Sequence, residues 1–227
     1  MIEAVLFDLD DTLYPQAQWL EGAWGKVCAS AMRWGVKPEV LQPAIRSVAA
    51  EGSAGGGIID RTLALLDVEH VPVAELVAAF RAHTAPVLVP YPGARDLLRA
   101  LRSRVPVGLV TDGYEATQRS KVSSLNLDDA FDVVVYSDQW GRQFRKPHPK
   151  PFTLALDALA VAPEQAVFVG DHPVKDVEGP QAIGMRSVRV RTGEYSCMEG
   201  SMQPWATVAT LVDAADTLIN DCRCVVD

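Results

Sequence analysis

The stretch Ala4-Val5-Leu6-Phe7-Asp8-Leu9-Asp10-Asp11-Thr12 sets an uninterrupted apolar run directly against a cluster of acids. An apolar run of strand length, with no polar alternation, suits a strand buried on both faces, as in a parallel sheet. Four more such runs follow, Val105 to Val110, Val133 to Tyr136, Ala166 to Val169 and Ser187 to Val190. Helical patterns separate them, from Gly93 to Leu101, Glu115 to Leu125, Pro149 to Ala160 and Val174 to Ile183. Alternating strands and helices predict an α/β fold, a parallel sheet with helices on both faces, in which right-handed crossovers bring the carboxyl ends of the strands to one edge.

One segment breaks that rhythm. From about Pro15 to Thr84 the pattern is helical throughout, with Trp19, Leu20, Ala23, Trp24 and Val27 spaced as one apolar face. Further helices read from Pro38 to Ala50, Ile58 to Leu66 and Val73 to His83, and Gly52-Ser53-Ala54-Gly55-Gly56-Gly57 reads as a flexible break. Pro86, Pro90 and Pro92 mark the return into the α/β part. The expected organisation is therefore a core from residues 1–14 and 86–227, with residues 15–85 inserted as an all-helical cap.

The whole chain has 227 residues, enough for a substantial core, and 21 basic against 29 acidic side chains, a net charge of −8. That balance argues against an extended nucleic-acid or anionic-membrane surface while leaving room for a local phosphate pocket. No apolar run approaches the roughly 18 residues that span a bilayer, and the first residues carry neither a basic region nor a cleavage pattern. The four cysteines, Cys28, Cys197, Cys222 and Cys224, have no zinc-type spacing, so reduced thiols and a cytoplasmic location are expected.

Four of the apolar runs end in an aspartate, Asp8, Asp112, Asp138 and Asp171. In a parallel sheet these acids are expected to gather where ligands of open α/β sheets bind. Residues two apart on extended chain point to the same side, so Asp8 and Asp10 are expected to share a volume. Two carboxylates so close need a cation or a shared proton, which suits Mg²⁺ bound through few carboxylates and a substrate phosphate.

Asp8-Leu9-Asp10-Asp11-Thr12 resembles motif I of the haloacid dehalogenase superfamily, and the remaining motifs follow in order: Thr111-Asp112-Gly113, Lys146-Pro147, and Gly170-Asp171 through Asp176. The match covers nearly all of a Rossmann-like core, and an insertion directly after motif I resembles the helical cap of subfamily I. The resemblance implies a Mg²⁺-dependent phosphomonoester hydrolase of a small phosphorylated metabolite, whether sugar phosphate, nucleotide or phosphoglycolate-like. It makes Asp8 the nucleophile that becomes an aspartyl-phosphate, and Asp10 the general acid and base, which must hold a proton that Asp8 does not. It assigns phosphate binding to the Thr111 hydroxyl, the amides of Asp112 and Gly113, and Lys146. The metal is expected on Asp8, the Asp10 carbonyl and Asp171, with Thr12 and Asp176 supporting from behind.

Arg145 stays open between a solvated charge and a substrate contact, while His148 and His172 are read as structural. Asp10 disfavours a dehalogenase, in which that acid is replaced, and Lys26 and Lys37, the cap's lysines, match no phosphonatase motif. A phosphomutase keeps the same motifs and stays open, as does a non-catalytic phosphate-binding regulatory protein. The expected partner is a small phosphorylated molecule, with neither nucleic acid nor membrane, bound by a monomer or homodimer. The tail from Asp221 to Asp227 carries no assignment.

Overall fold

The computed structural model describes residues 1–52 and 56–222. Residues 53–55 of the glycine-rich break, and the tail from 223 with Cys224, lie outside the described residues. The chain divides into two compact units, Met1–Gln16 with Val87–Asp227, and Ala17–Pro86.

The first unit is built on a six-stranded sheet of β1 (Ala4–Phe7), β2 (Val107–Thr111), β3 (Val133–Tyr136), β4 (Ala166–Gly170), β5 (Arg186–Val190) and β6 (Ala206–Val208). The spatial order is β3-β2-β1-β4-β5-β6 and every pairing is parallel. The fold is thus the α/β, Rossmann-like architecture expected. The chain leaves β1 toward β2 on one side and takes up β4 on the other, so β1 sits at the switch point where such sheets open a crevice.

Strands β1, β2 and β4 are buried along their whole length. Ala4, Leu6, Val110, Ala166 and Phe168 point to one face and pack with Phe152, Ala155 and Leu156 of α7 (Lys150–Leu159). Phe152 meets Phe168 edge-on at 5.1 Å, a geometry worth about 1 kcal/mol beyond its burial. Helix α5 (Ala94–Arg102) lies against β2, and α9 (Leu211–Asp221) lies against β5 and α5.

Three local readings are corrected. Strand β2 starts at Val107, because the Val105 amide closes the end of α5 on Leu101 and Pro106 has no N–H to give a ladder. The stretch expected to be a helix from Val174 is a wide π-helical turn, Pro173–Glu178, followed by the single turn α8 (Gly179–Gln181). Finally, β6 and α9 were not foreseen: β6 is three partly exposed residues without an apolar run, and α9 opens on a capping box between Thr210 and Asp213.

The second unit consists of α1 (Ala17–Ala31), α2 (Pro38–Ala49), α3 (Ile58–Leu65) and α4 (Val73–Arg81). Trp24, Val27, Leu41, Ile45, Leu63 and Leu76 form its core. Trp19 stands edge-on to Phe80 at 5.0 Å, so these helical-spaced aromatics serve packing.

Candidate active site

Strand β1 ends at Phe7, and the next residue, Asp8, stays in the sheet's frame by donating its amide to the Val169 carbonyl of β4. Its carboxylate is buried and receives the Lys146 ammonium at 2.6 Å. The same ammonium reaches Asp176 at 2.7 Å, and the other oxygen of Asp176 accepts the His172 amide at 3.0 Å. Lys146 is itself held at its backbone, whose amide donates to Asp112 Oδ1; that oxygen also accepts the Ser137 hydroxyl.

Carboxylate oxygens of Asp8, Asp171 and Asp176 lie within 4.8 Å of one another, all three residues buried. Burial, joined by the charges of Asp176 and Asp10 and only partly offset by Lys146, pushes Asp8 up to about 7. Burial together with Asp176, Asp8 and Asp11 pushes Asp171 up to about 9. Burial would lower Lys146, but Asp176, Asp8 and Asp112 outweigh it and hold the ammonium well above its ordinary value. Three buried carboxylates against one lysine leave negative charge that a hard divalent cation would balance, and oxygen donors are the ligands such a cation takes. Since Asp176 spends its oxygens on Lys146 and His172, Asp8 and Asp171 are the side chains placed to ligate. Thr12 donates to Asp171 over a long 3.4 Å.

Asp10 is held by three side chains. Its carboxylate accepts the Tyr14 hydroxyl at 2.6 Å, Gln118 Nε2 at 2.9 Å, and the Lys121 ammonium at 2.7 and 2.9 Å on its two oxygens. Burial would raise its pKa, yet the Lys121 charge and these hydrogen bonds outweigh burial and hold it below the ordinary carboxylate range. Asp8 and Asp10 are thus each paired with a lysine of their own, and Asp10 carries the larger set of hydrogen bonds.

Thr111 closes β2 fully buried, and Gln118 Nε2 donates to its hydroxyl at 2.6 Å. Asp112 and Gly113, whose amides the resemblance assigns to phosphate, follow it directly, and Gly113 takes a positive φ of 130°. Asp138 does not join the acid cluster: Arg145 grips it with two bonds of 2.6 Å. His148 and His172 accept backbone amides from Lys150, and from Val174 and Lys175, and so act as local caps. Cys28, Cys197 and Cys222 are free thiols. No helix among the described residues is long and apolar enough to cross a membrane.

Tyr14, Gln118 and Lys121 escaped the sequence reading as site residues. A signal for the last two exists on α6 (Glu115–Ser124). Positions 118, 121, 122 and 125 share one helical stripe, and two of the four are polar where burial calls for apolar residues.

Residues 2–184 match the family model of the haloacid dehalogenase-like hydrolases, and the chain belongs to that family. Among its curated relatives, the glyceraldehyde 3-phosphate phosphatase of Methanopyrus kandleri is 36% identical over 207 residues, covering 88% of each chain. The enzyme of the same name from Pyrococcus furiosus is 34% identical, over 90% of this chain and 87% of its own. Among solved structures, a HAD phosphatase from Thermococcus onnurineus superposes with a TM-score of 0.70 at 26% identity, over 96% of this chain and 98% of that one. The chain is therefore an enzyme, a haloacid dehalogenase-like hydrolase similar over most of its length to curated phosphatases.

Proposed function

We propose that the protein is a Mg²⁺-dependent phosphomonoester hydrolase of a small phosphorylated metabolite, working through an aspartyl-phosphate on Asp8. The observation that carries this reading is the Asp8 carboxylate at the end of the central strand, 2.6 Å from a buried lysine and within 4.8 Å of Asp171 and Asp176. Lys146 holds one oxygen of Asp8 and leaves the other to attack phosphorus, so that a very slow hydrolysis becomes two easier displacements. The ammonium also faces the charge that develops on the phosphoryl oxygens. Asp176 and Asp112 position Lys146, the first through its side chain and the second through its backbone.

The Thr111 hydroxyl accepts from Gln118, which leaves its own proton to donate to a phosphoryl oxygen, with the Asp112 amide beside it. Asp10 serves the second displacement as it stands, ionised and able to take a proton from the attacking water. To protonate the leaving oxygen in the first displacement it must gain a proton, and approach of the dianionic phosphate favours that gain. Mg²⁺ bound by Asp8, Asp171 and the Asp10 carbonyl would orient the phosphate and neutralise part of its charge.

The names of the relatives make glyceraldehyde 3-phosphate the first substrate to test, beside phosphoglycolate, sugar phosphates and nucleoside monophosphates. Phosphate release is measured on that panel with Mg²⁺ or with EDTA. Mg²⁺-dependent release from one compound class names the substrate; intramolecular phosphate transfer without release would favour a mutase, and silence even on p-nitrophenyl phosphate a binding protein.

A further inference from the structure

Helix α6 packs a polar face where its neighbours pack apolar ones: Thr117, Gln118 and Lys121 are buried together with Val122. Gln118 and Lys121 lie three residues apart, hence on one side of the helix, and both reach the carboxylate of Asp10. An ammonium as buried as that of Lys121 is tolerated only against a partner, and Asp10 supplies both of its oxygens. The Gln118 amide nitrogen has two hydrogens, one directed to Asp10 at 2.9 Å and the other to Thr111 at 2.6 Å. The reverse amide orientation would turn its oxygen toward a carboxylate and lose both bonds.

We infer that Gln118 and Lys121 are positioning residues for hydrolysis: together they fix the Asp10 carboxylate, and Gln118 alone joins it to Thr111 and turns the Thr111 hydroxyl proton outward to the phosphoryl group. This rests on the reading of Asp10 and Thr111 given above. It separates two tasks on one helix face. Lys121 aims the Asp10 carboxylate at the leaving oxygen, whereas Gln118 serves that aim and phosphate binding together.

The test compares wild type, Gln118→Leu and Lys121→Met, each assayed with Mg²⁺. Three quantities are read: kcat on the alkyl phosphate that the wild type turns over fastest, kcat on p-nitrophenyl phosphate, and the inhibition constant of inorganic phosphate. Both variants should lower the alkyl-to-aryl ratio of kcat about tenfold, because the good leaving group of the aryl ester needs little acid help. Gln118→Leu should also weaken phosphate inhibition about tenfold, while Lys121→Met leaves it within about twofold. Equal losses on the two esters, or phosphate inhibition that responds alike in both variants, would overturn the inference. So would failure of both variants to fold, which would make the residues structural. A wild type that releases phosphate from neither ester would instead overturn the hydrolase reading, and this inference with it.

Discussion

The two units of this chain differ most in what they bury. Among the described residues, the helical unit buries only Thr62 and His83 besides apolar side chains, and Thr62 spends its hydroxyl on the Ile58 carbonyl of its own helix. The α/β unit buries Asp8, Asp11, Lys121, Lys146, Asp171, Asp176 and Arg189. Burying a charge is costly unless it is paired and hydrogen-bonded. A fold that concentrates that cost at the carboxyl ends of its central strands has a reason there, and phosphoryl chemistry is a sufficient one. The helical unit, by contrast, is stabilised in the ordinary way, by packing.

The comparison breaks most sharply at Lys146. Lys146→Met should strand Asp8 and Asp176 as buried acids facing one another, costing about 3–5 kcal/mol in denaturant unfolding and lowering kcat at least about a hundredfold. A small loss in both would mean that the buried acids are not held by this lysine.

In the helical unit the comparable change is Leu76→Ala, which removes a fully buried side chain from its core. It should cost about 2–5 kcal/mol through lost transfer energy and a residual cavity. Unlike Lys146→Met, it should lose stability to the same degree with Mg²⁺ present or absent, and a dependence on the metal would contradict the contrast between the units.

Burial, the first cause for both, pushes Asp8 up to about 7 and Asp171 up to about 9 from an ordinary value of 3.8. Because these values are raised, the stability they contribute is full below about pH 4 and is lost as pH rises through 7 and 9, where the unfolded chain has already released its protons. Added Mg²⁺ binds the ionised forms, so it should raise Tm more at pH 9 than at pH 5, by roughly 5–10 °C at a hundredfold excess over Kd. Asp171→Asn should remove most of that rise. An equal shift at both pH values would detach the metal from these acids.

The smallest effect belongs to the exposed Arg99–Asp96 pair on α5, 3.1 Å apart. Arg99→Ala should change stability by no more than about 0.5 kcal/mol, since water and salt screen such a pair. A larger loss by denaturant titration would blur the contrast between surface charge and site charge.

The sheet was legible because its central strands are buried on both faces, so Val5-Leu6-Phe7 and Val167-Phe168-Val169 stand out as unbroken apolar runs. Strand β6 was not, since a short, half-exposed strand leaves no such run. At the site, Asp8, Lys146, Asp171 and Asp176 were readable from motif spacing, and the structure brings them together. Their partners were not readable: Lys121 lies 111 positions from Asp10, and only the pairing of β1 with β2 brings α6 beside it. The ion pair of Asp10 is therefore set by a helix far from it in sequence.

The proposed reaction turns on attack of Asp8 at phosphorus. The most direct measurement is rapid acid quench of wild-type protein turning over a ³²P-labelled substrate with Mg²⁺, followed by peptide mapping, beside phosphate release by Asp8→Asn. A hydroxylamine-labile label is expected on the peptide that contains Asp8, with phosphate release reduced at least about a thousandfold in a folded Asp8→Asn variant. Label on another residue, or turnover that survives the substitution, would contradict attack by Asp8.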